Sequence, residues 1–205
     1  MVKTKIAVLV SGGGTNLQAL IDAEKCGIIN SGEISLVVSN NENAYALTRA
    51  KENNIKTAYI PSKAPDFESQ LKSVLSENDV DLIVLAGFMK ILSADFTASF
   101  ENRIINVHPS LIPSFCGKGF YGLHVHEEAL KKGVKVSGAT VHFVTAECDA
   151  GPIILQKAVE VIDDDTPESL QKRIMEQAEW KILPKAVGLF CDDKIVVENG
   201  KTYIK

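Results

Sequence analysis

Two side chains near the middle of the sequence are suited to acid–base chemistry. Asn106 and His108 stand two positions apart at the end of the apolar run IINVH, so their side chains would lie on one face of a strand. An imidazole exchanges protons near neutral pH, and a carboxamide beside it can donate or accept hydrogen bonds. The alternative is a structural histidine at a strand end, which the local sequence allows equally.

Asp149 is a third candidate for this chemistry. It lies in the turn-rich segment 146–152, in which Gly151 and Pro152 follow it. A carboxylate close to His108 would hold one tautomer of the imidazole and favour the imidazolium, which predicts a raised pKa for His108. Aspartate is also a common turn residue, and sequence spacing does not establish that the two side chains are close.

A glycine-rich loop, SGGGTN at residues 11–16, separates a predicted strand from a helix whose first apolar residue is Leu17. Glycines allow a sharp turn that exposes backbone N–H groups at the positive end of the helix, where a phosphate binds favourably. The third glycine of a dinucleotide fingerprint and the Gly-Lys-Ser/Thr of a P-loop are both absent. The pattern predicts a site for a single phosphate monoester, and a tight turn without a ligand is the alternative.

The other histidines give no metal-binding pattern. His124, His126 and His142 have no further ligands at zinc-like spacing, and His124-Val125-His126 comes nearest to such a pattern. The acidic run 163–165 lacks the glycine and the distal glutamate of a calcium loop, which predicts a solvated approach to a helix. We therefore expect no metal ion.

The composition indicates a single domain, residues 1–205, that acts on small molecules. Of the 205 residues, 45% are hydrophobic and 23% are charged, which is enough for one core. The formal net charge of −4 provides no field to recruit nucleic acid or an anionic membrane. No apolar run approaches the roughly 18 residues of a membrane helix. We expect no nucleic acid or membrane partner, and either a monomer or a homodimer.

The cysteine pattern indicates a reducing compartment. The four cysteines are scattered, form no C-x-x-C pair and follow no secretory leader. They are expected to be free thiols of a cytoplasmic protein: Cys26, Cys116, Cys148 and Cys191.

The elements that must position these residues follow an alternating pattern. Short β-branched runs alternate with amphipathic stretches, such as those from Leu17 to Ile21 and from Phe67 to Leu75. This alternation is typical of a parallel sheet with helices on both faces. Continuous apolar runs such as LIVLA predict strands that are buried on both faces. The predicted strands cover residues 6–10, 34–38, 82–86, 104–107, 139–145 and 153–161.

Residues 109–126 interrupt this pattern with two prolines, three glycines and no usable period, which predicts a long and functional loop. Further along, Thr166 is a predicted N-cap with Pro167 at the first helical position, and this last helix should run to about Phe190. The Asn-Gly pair at 199–200 predicts a C-terminal hairpin.

Five segments and the helix after Thr166 carry a family resemblance that covers essentially the whole chain. The segments are SGGGTNLQALID at 11–22, VLAGFMKILS at 84–93, NVHPSLIPSF at 106–115, GLHVHEEAL at 122–130 and GATVHFVTAECDAGPIILQ at 138–156, whose HPSL and D-x-G-P-I-I motifs form a specific combination. The chain thus resembles the folate-dependent glycinamide ribonucleotide formyltransferases of purine biosynthesis, of the short bacterial type. The resemblance implies a single-domain, Rossmann-like α/β formyltransferase fold with a mostly parallel sheet, helices on both faces and a C-terminal hairpin.

The resemblance implies roles for the candidate residues. Asn106, His108 and Asp149 correspond to the catalytic residues of the family. A glutamate of the last helix contacts the ribose in related enzymes, and Glu179 is a better candidate than Glu176. The loop that holds the 5′-phosphate through backbone amides corresponds to Gly12, Gly13, Gly14, Thr15 and Asn16.

The resemblance also implies a folate pocket. Its donor, 10-formyltetrahydrofolate, is a consumed co-substrate, and no metal is needed. The turn 145–149 should close over the pterin. The implied folate-binding residues are Lys63, Met89, Lys90, Ile91, Leu92, Thr145 and Glu147.

The chain departs from the family pattern at four places. Lys90 replaces a frequent arginine, which keeps the charge for a folate carboxylate but loses the bidentate fork. Ala64 stands where a basic residue is expected, so Lys63 is the nearest substitute. The loop 116–121 is longer than in the shortest relatives, and the last helix carries an extra residue before Pro184.

The implied activity is transfer of the formyl group of 10-formyltetrahydrofolate to the amine of N1-(5-phospho-D-ribosyl)glycinamide. A 10-formyltetrahydrofolate hydrolase is the nearest alternative, and a formyltransferase for initiator methionyl-tRNA is another. The first usually carries a preceding regulatory domain and the second a following basic domain, which an acidic chain of 205 residues does not match. A non-catalytic phosphosugar- or nucleotide-binding module would use the glycine-rich loop alone and would bind no folate.

Overall fold

The computed structural model describes residues 2–205, and these residues form nine strands. Their bounds are β1 (Thr4–Val10), β2 (Gly32–Ser39), β3 (Lys56–Tyr59), β4 (Leu82–Leu85), β5 (Ile104–His108), β6 (Val136–Phe143), β7 (Ile153–Glu160), β8 (Ile195–Glu198) and β9 (Lys201–Ile204). Seven strands make one sheet in the order β3-β2-β1-β4-β5-β6-β7, and β8 and β9 form the C-terminal hairpin. The first five strands pair in parallel, whereas β6 is antiparallel to β5 and β7. The predicted fold class is confirmed.

Seven helices cover the sheet: α1 (Thr15–Lys25), α2 (Tyr45–Glu52), α3 (Phe67–Glu77), α4 (Ala94–Ser99), α5 (Leu123–Lys132), α6 (Pro167–Ile174) and α7 (Trp180–Cys191). A π-helical turn, Met175–Glu179, joins α6 to α7. As predicted, Thr166 caps the last helical segment, because its Oγ1 accepts the Ser169 N–H at 3.2 Å. Within residues 2–205 no helix combines the length and the apolar character needed to cross a bilayer.

The apolar strands form a core on each face of the sheet. Along β1, Ile6 and Val8 belong to the cluster beneath α1, α2 and α7, whereas Ala7 and Leu9 belong to the cluster beneath α3 and α4. This alternation explains why the strands are apolar at consecutive positions, since side chains of both parities are buried.

The strand order reverses between β1 and β4, because the chain adds β2 and β3 on one side of β1 and then crosses to the other. In such open sheets ligands bind beyond the carboxyl ends of the strands at this reversal. The loops that follow β1, β4 and β5 meet at this edge, so the fold brings the candidate residues to one place.

Several sequence predictions differ from the structure in their limits. The predicted loop over 109–126 ends earlier than expected, because α5 begins at Leu123. The buried face of α5 includes His126, so too few apolar residues recur in the sequence to indicate a helix. Strand β6 lies two to three residues before the predicted segment 139–145. The short elements β3, α2 and α4 were not predicted at all, because four to eight residues contain too little periodic signal.

Candidate active site

A cleft of about 790 Å³ opens at the carboxyl ends of β1, β4 and β5. Its walls come from the start of α1, the segment after β4, the end of β5, the loop after β5, the turn after β6 and the last helical segment. The predicted site residues that line it are Thr15, Asn16, Met89, Lys90, Ile91, Leu92, Asn106, His108, Thr145, Glu147, Asp149 and Glu179.

Four polar side chains in the wall of this cleft form what we call the β5–β6 cluster: Asn106, His108, His142 and Asp149. His108 Nδ1 lies 3.5 Å from Asp149 Oδ2, and His142 Nε2 lies 3.6 Å from Asp149 Oδ1. Asn106 Nδ2 lies 3.2 Å from His142 Nε2, because the antiparallel register pairs these two residues directly. The side chains of His108, His142 and Asp149 are 5%, 2% and 9% exposed, so they interact with little screening by water.

The loop after β5 completes this cluster with backbone groups. His108 Nε2 lies 2.8 Å from Phe115 O, which assigns a donated hydrogen to that nitrogen. The Gly117 N–H donates to Asp149 Oδ2 at 2.9 Å. Phe115 and Asp149 both have left-handed backbones, with φ of 50° and 56°. The long loop therefore holds the histidine and the carboxylate together.

Burial determines the protonation state of His108 and acts against the predicted rise in its pKa. Burial lowers the pKa of His108 below 6.5, and this effect outweighs the opposing effects of Asp149 and Phe115 O. The predicted rise in the pKa of His108 is therefore wrong in its direction, although Asp149 acts in the predicted sense. Burial would raise the pKa of Asp149, but His142, His108 and the Gly117 N–H hold it below its usual value. Asp149 is ionised at neutral pH, and His108 is mainly neutral.

His142 is a cluster member that the sequence reasoning considered only as a metal ligand. Its Nδ1 lies 2.8 Å from Phe143 O, so this nitrogen carries a hydrogen, and its Nε2 lies 3.2 Å from Asn106 Nδ2. One signal could have identified His142: it lies on a strand that pairs with the strand of Asn106. That signal becomes usable only when the register of β5 against β6 is known, because the register places the two residues opposite each other.

The carbonyl groups of the glycine-rich loop are all held by protein donors. Asn41 Nδ2 donates to Ser11 O at 3.3 Å, and the Ala46 N–H donates to Gly12 O at 3.1 Å. Gly13 O and Gly14 O accept from Arg49 Nε and from the Gln18 N–H, each at 2.9 Å. Two of these four donors, Ala46 and Arg49, belong to α2, so the loop is anchored against that helix.

The amide groups of the same loop are free. Among residues 2–205, no protein acceptor receives a hydrogen bond from the backbone N–H groups of residues 12–16. Thr15 and Asn16 line the cleft, whereas Gly12, Gly13 and Gly14 lie just outside its lining. Gly14 caps α1 in the left-handed conformation, with φ of 74°. Consecutive free amides at the start of a helix form an anion-binding nest.

The last helical segment turns one glutamate into the cleft and another outward. Glu179, in the π-helical turn, is 6% exposed, and its Oε2 accepts from Asn16 Nδ2 at 2.7 Å. Burial raises the pKa of Glu179, while the Asn16 hydrogen bond opposes this rise. The side chain of Glu176 is 47% exposed and faces Lys172 at 3.9 Å. A π-helical turn is the usual way in which a helix takes up an extra residue, so this turn is compatible with the extra residue expected before Pro184.

The segment after β4 forms an apolar wall with one basic side chain. Leu92 is buried there, whereas Met89 and Ile91 are more than half exposed. Lys90 Nζ donates to Ser62 O at 2.7 Å and lies 4.7 Å above the Phe67 ring. Lys63 is exposed and does not line the cleft, so the structure does not bring this predicted residue to the others.

Two thiols lie beside the β5–β6 cluster. Burial and the charge of Asp149 raise the pKa of Cys116 and of Cys148, so both are protonated at neutral pH. All four cysteines are free. Within residues 2–205, no group of three or more His, Cys, Asp or Glu side chains is arranged to hold a metal ion.

Comparison with known proteins shows relatives over almost the whole chain. The family model described as Formyl transferase matches residues 4–187. The phosphoribosylglycinamide formyltransferases of Haemophilus influenzae and Escherichia coli are 40% and 38% identical, covering 98% and 97% of this chain and 93% and 92% of those proteins. The trifunctional purine biosynthetic protein adenosine-3 of Gallus gallus is 45% identical over 97% of this chain, which spans only 20% of that relative.

Solved structures show the same fold in two kinds of formyl-group enzyme. Phosphoribosylglycinamide formyltransferase from Anaplasma phagocytophilum matches with a TM-score of 0.90 and 43% identity, covering 99% of this chain and 95% of that one. A formyltetrahydrofolate deformylase from Pseudomonas syringae matches with a TM-score of 0.88 and 26% identity, covering 98% and 66%. The fold is common to both, and the sequence is nearer to the transferase.

Proposed function

The chain belongs to the formyl transferase family, and we propose that it transfers the formyl group of 10-formyltetrahydrofolate to N1-(5-phospho-D-ribosyl)glycinamide. The products are N-formylglycinamide ribonucleotide and tetrahydrofolate, in purine biosynthesis. The relatives that this chain covers almost completely are named for this transferase. The observation that carries the proposal is the single cleft that joins the β5–β6 cluster, the start of α1 and the apolar wall after β4.

Asn106 stabilises the charge that develops during transfer. Attack of the amine on the formyl carbon places negative charge on the formyl oxygen, and a preorganised N–H donor lowers the energy of that state. One N–H of Asn106 points to His142 Nε2 at 3.2 Å, which sets the orientation of the amide. Its second N–H is then available for the oxyanion.

His108 moves the proton between the two nitrogens. The attacking amine must lose a proton, and N10 of the folate must gain one before it leaves. Because burial lowers the pKa of His108, its ring is neutral at rest, and since Nε2–H donates to Phe115 O, the proton is accepted at Nδ1. The Asp149 carboxylate, 3.5 Å from Nδ1, stabilises the imidazolium that then protonates N10.

The remaining residues bind the two substrates. The free amides of residues 12–16 suit the 5′-phosphate, and the Glu179 carboxylate suits a ribose hydroxyl. The pterin would lie between the apolar wall after β4 and the turn that carries Thr145 and Glu147. We assign Lys90, which lines the cleft and donates to Ser62 O, to a folate carboxylate. Lys63 lies on the surface, so it would meet the glutamate tail only where that tail leaves the cleft.

A spectrophotometric assay combined with mass spectrometry tests the proposal. The purified chain is mixed with 10-formyl-5,8-dideazafolate, loss of the formyl group is followed by absorbance, and the ribonucleotide product is identified by mass spectrometry. We expect loss of the formyl group only when glycinamide ribonucleotide is present. Release of formate without the ribonucleotide would identify a hydrolase instead. Binding of the ribonucleotide without any reaction would identify a non-catalytic module.

We also propose a cytoplasmic enzyme whose partners are small molecules alone. The free thiols and the negative net charge support this assignment. Sedimentation of the purified chain, with and without both substrates, would decide between a monomer and a homodimer.

A further inference from the structure

We infer that Arg49 is a positioning residue for the phosphate site and that it acts by holding the backbone of the glycine-rich loop. This inference rests on the proposed function, in which residues 12–16 bind the 5′-phosphate. Arg49 lies on α2 and does not line the cleft. It belongs to none of the motifs from which the site was predicted.

Three contacts fix the guanidinium of Arg49 against the loop. Its Nε donates to Gly13 O at 2.9 Å, and its Nη1 donates to Gln18 Oε1 at 3.2 Å. Its Cζ lies 5.0 Å from the centre of the Tyr45 ring, which supports the planar group by stacking. The guanidinium thus ties the loop to the first turns of α1, from outside the cleft.

The effect on the amides follows from the geometry of the peptide unit. In a trans peptide the C=O of one residue and the N–H of the next point in opposite directions. A bond from Arg49 to Gly13 O therefore directs the Gly14 N–H away from α2, and the bond from Ala46 to Gly12 O does the same for the Gly13 N–H. Without Arg49, Gly13 O would lose its donor and this peptide unit could rotate.

Arg49 is the charged donor among the four groups that hold the carbonyls of residues 11–14. Its positive charge could also attract the phosphate directly, so charge and geometry must be separated. A lysine keeps the charge but replaces the planar fork by one flexible ammonium, so the fixed pair of bonds from Nε to Gly13 O and from Nη1 to Gln18 Oε1 is lost. A methionine keeps the length of the side chain and removes both properties.

The experiment measures the affinity for glycinamide ribonucleotide and for its dephosphorylated riboside in Arg49→Lys and Arg49→Met. We expect about a tenfold weaker binding of the ribonucleotide in Arg49→Lys, which corresponds to the loss of one charge-assisted hydrogen bond, and a larger loss in Arg49→Met. The riboside should bind as in the wild type. The kcat and the KM for the formyl donor should stay within about twofold, since the β5–β6 cluster is untouched.

Arg103→Met is the matched control. Arg103 also lies over an aromatic ring, 5.2 Å from the centre of Phe100, but it precedes β5 at the opposite edge of the sheet. The control removes the same charge and should change the binding of neither ligand. Equal weakening of the binding of both ligands in the Arg49 variants would overturn the inference. A wild-type preference for the ribonucleotide over the riboside in Arg49→Lys would also overturn it, because Arg49 would then act through its charge alone.

The equilibrium measurement also keeps this inference separate from the proposed function. Binding does not require turnover. A wild-type chain that prefers the ribonucleotide but transfers no formyl group would overturn the proposed reaction, and the Arg49 variants would still be informative. A chain that transfers formyl groups normally, with an unchanged preference in both Arg49 variants, would overturn the inference alone.

Discussion

The glycine-rich loop and the β5–β6 cluster line one cleft but are built in opposite ways. The loop is six consecutive residues, its carbonyls all have protein donors, and its free groups are backbone amides that do not titrate. The cluster consists of four side chains from two strands and a turn, completed by Phe115 O and the Gly117 N–H. Three of its members, His108, His142 and Asp149, are buried side chains that can gain or lose a proton.

Because of this difference, the loop is suited to binding and the cluster is suited to catalysis. A site made of backbone amides is insensitive to pH and to most side-chain changes, but an added carbon atom can displace it. A site made of buried titratable side chains depends on pH and on each side chain. Four sets of variants test this contrast, and their expected effects decrease from the first to the last.

Removal of a side chain from the β5–β6 cluster should have the largest effect. In His108→Ala or Asn106→Ala we expect kcat to fall about a hundredfold or more, since a preorganised donor contributes about 3–4 kcal/mol to the transition state. The affinity for the ribonucleotide should change little, because the phosphate nest is untouched. Steady-state kinetics and calorimetry check the two parts, and turnover within severalfold of the wild type would refute the assigned roles.

His126 should make the free energy of unfolding sensitive to acid. It is fully buried, and among residues 2–205 neither ring nitrogen has a partner; burial and then the charge of His108 lower its pKa to about 4. The unfolded chain therefore binds more protons below about pH 6.5. The stability is complete above that pH and falls by up to about 3 kcal/mol as the pH drops to about 4.

Urea unfolding at several pH values between about 7 and 4 measures this loss. In His126→Leu the free energy of unfolding should depend less on pH over this range. His124→Leu is the control, because it removes a histidine of the same helix that is about half exposed. An unchanged slope in His126→Leu would show that other groups cause the acid sensitivity.

Gly14→Ala should weaken the binding of the ribonucleotide by the glycine-rich loop. A Cβ at this position would lie 2.6 Å from Ala46 Cβ and 2.9 Å from Ala46 Cα, so the loop must move away from α2. We expect the KM for the ribonucleotide to rise about tenfold while kcat is retained.

Gly27→Ala supplies the control for Gly14→Ala. Gly27 has a similar left-handed φ of 81°, but no atom lies within 4 Å of the position that an alanine methyl group would take. The control carries the same conformational strain, about 1 kcal/mol, without the displacement. An equal rise in KM in both variants would attribute the effect to strain rather than to the position of the amides.

Asp149→Asn should shift the pH–rate profile as well as slow the reaction. The reaction needs neutral His108, so kcat/KM falls as the pH drops through the pKa of His108. Asp149 raises that pKa against the effect of burial, so its removal should move the acidic limb to lower pH. Glu147→Gln, an exposed carboxylate of the same turn, should leave the limb in place. A stationary limb in Asp149→Asn would leave Asp149 with a positioning role alone.

The loop could be predicted from the sequence because its signals are local. The apolar run before residue 11, the glycines and the apolar residue at Leu17 together indicate a strand, a turn and a helix, and the structure has all three. What the sequence did not contain was the support from α2, because Ala46 and Arg49 meet the loop only after β2 has paired with β1.

The cluster could be predicted only in part, because it depends on tertiary structure. Asn106 and His108 follow from strand alternation, and Asp149 was a candidate from its turn, although sequence spacing did not establish that it lies close to His108. His142 required the register of β5 against β6, and Phe115 and Gly117 required the path of a long loop. The direction of the His108 pKa also required burial, which no local pattern contains.

The irregular turn before α7 has a consequence for how this helix could change. Deleting one residue between Ile174 and Trp180 would restore a regular α-helical pitch and swing the preceding residues by about 100° relative to those that follow. The backbone would become more regular, yet the contact between Glu179 and Asn16 would be lost. A straighter helix would therefore remove the carboxylate that the cleft presents beside the start of α1.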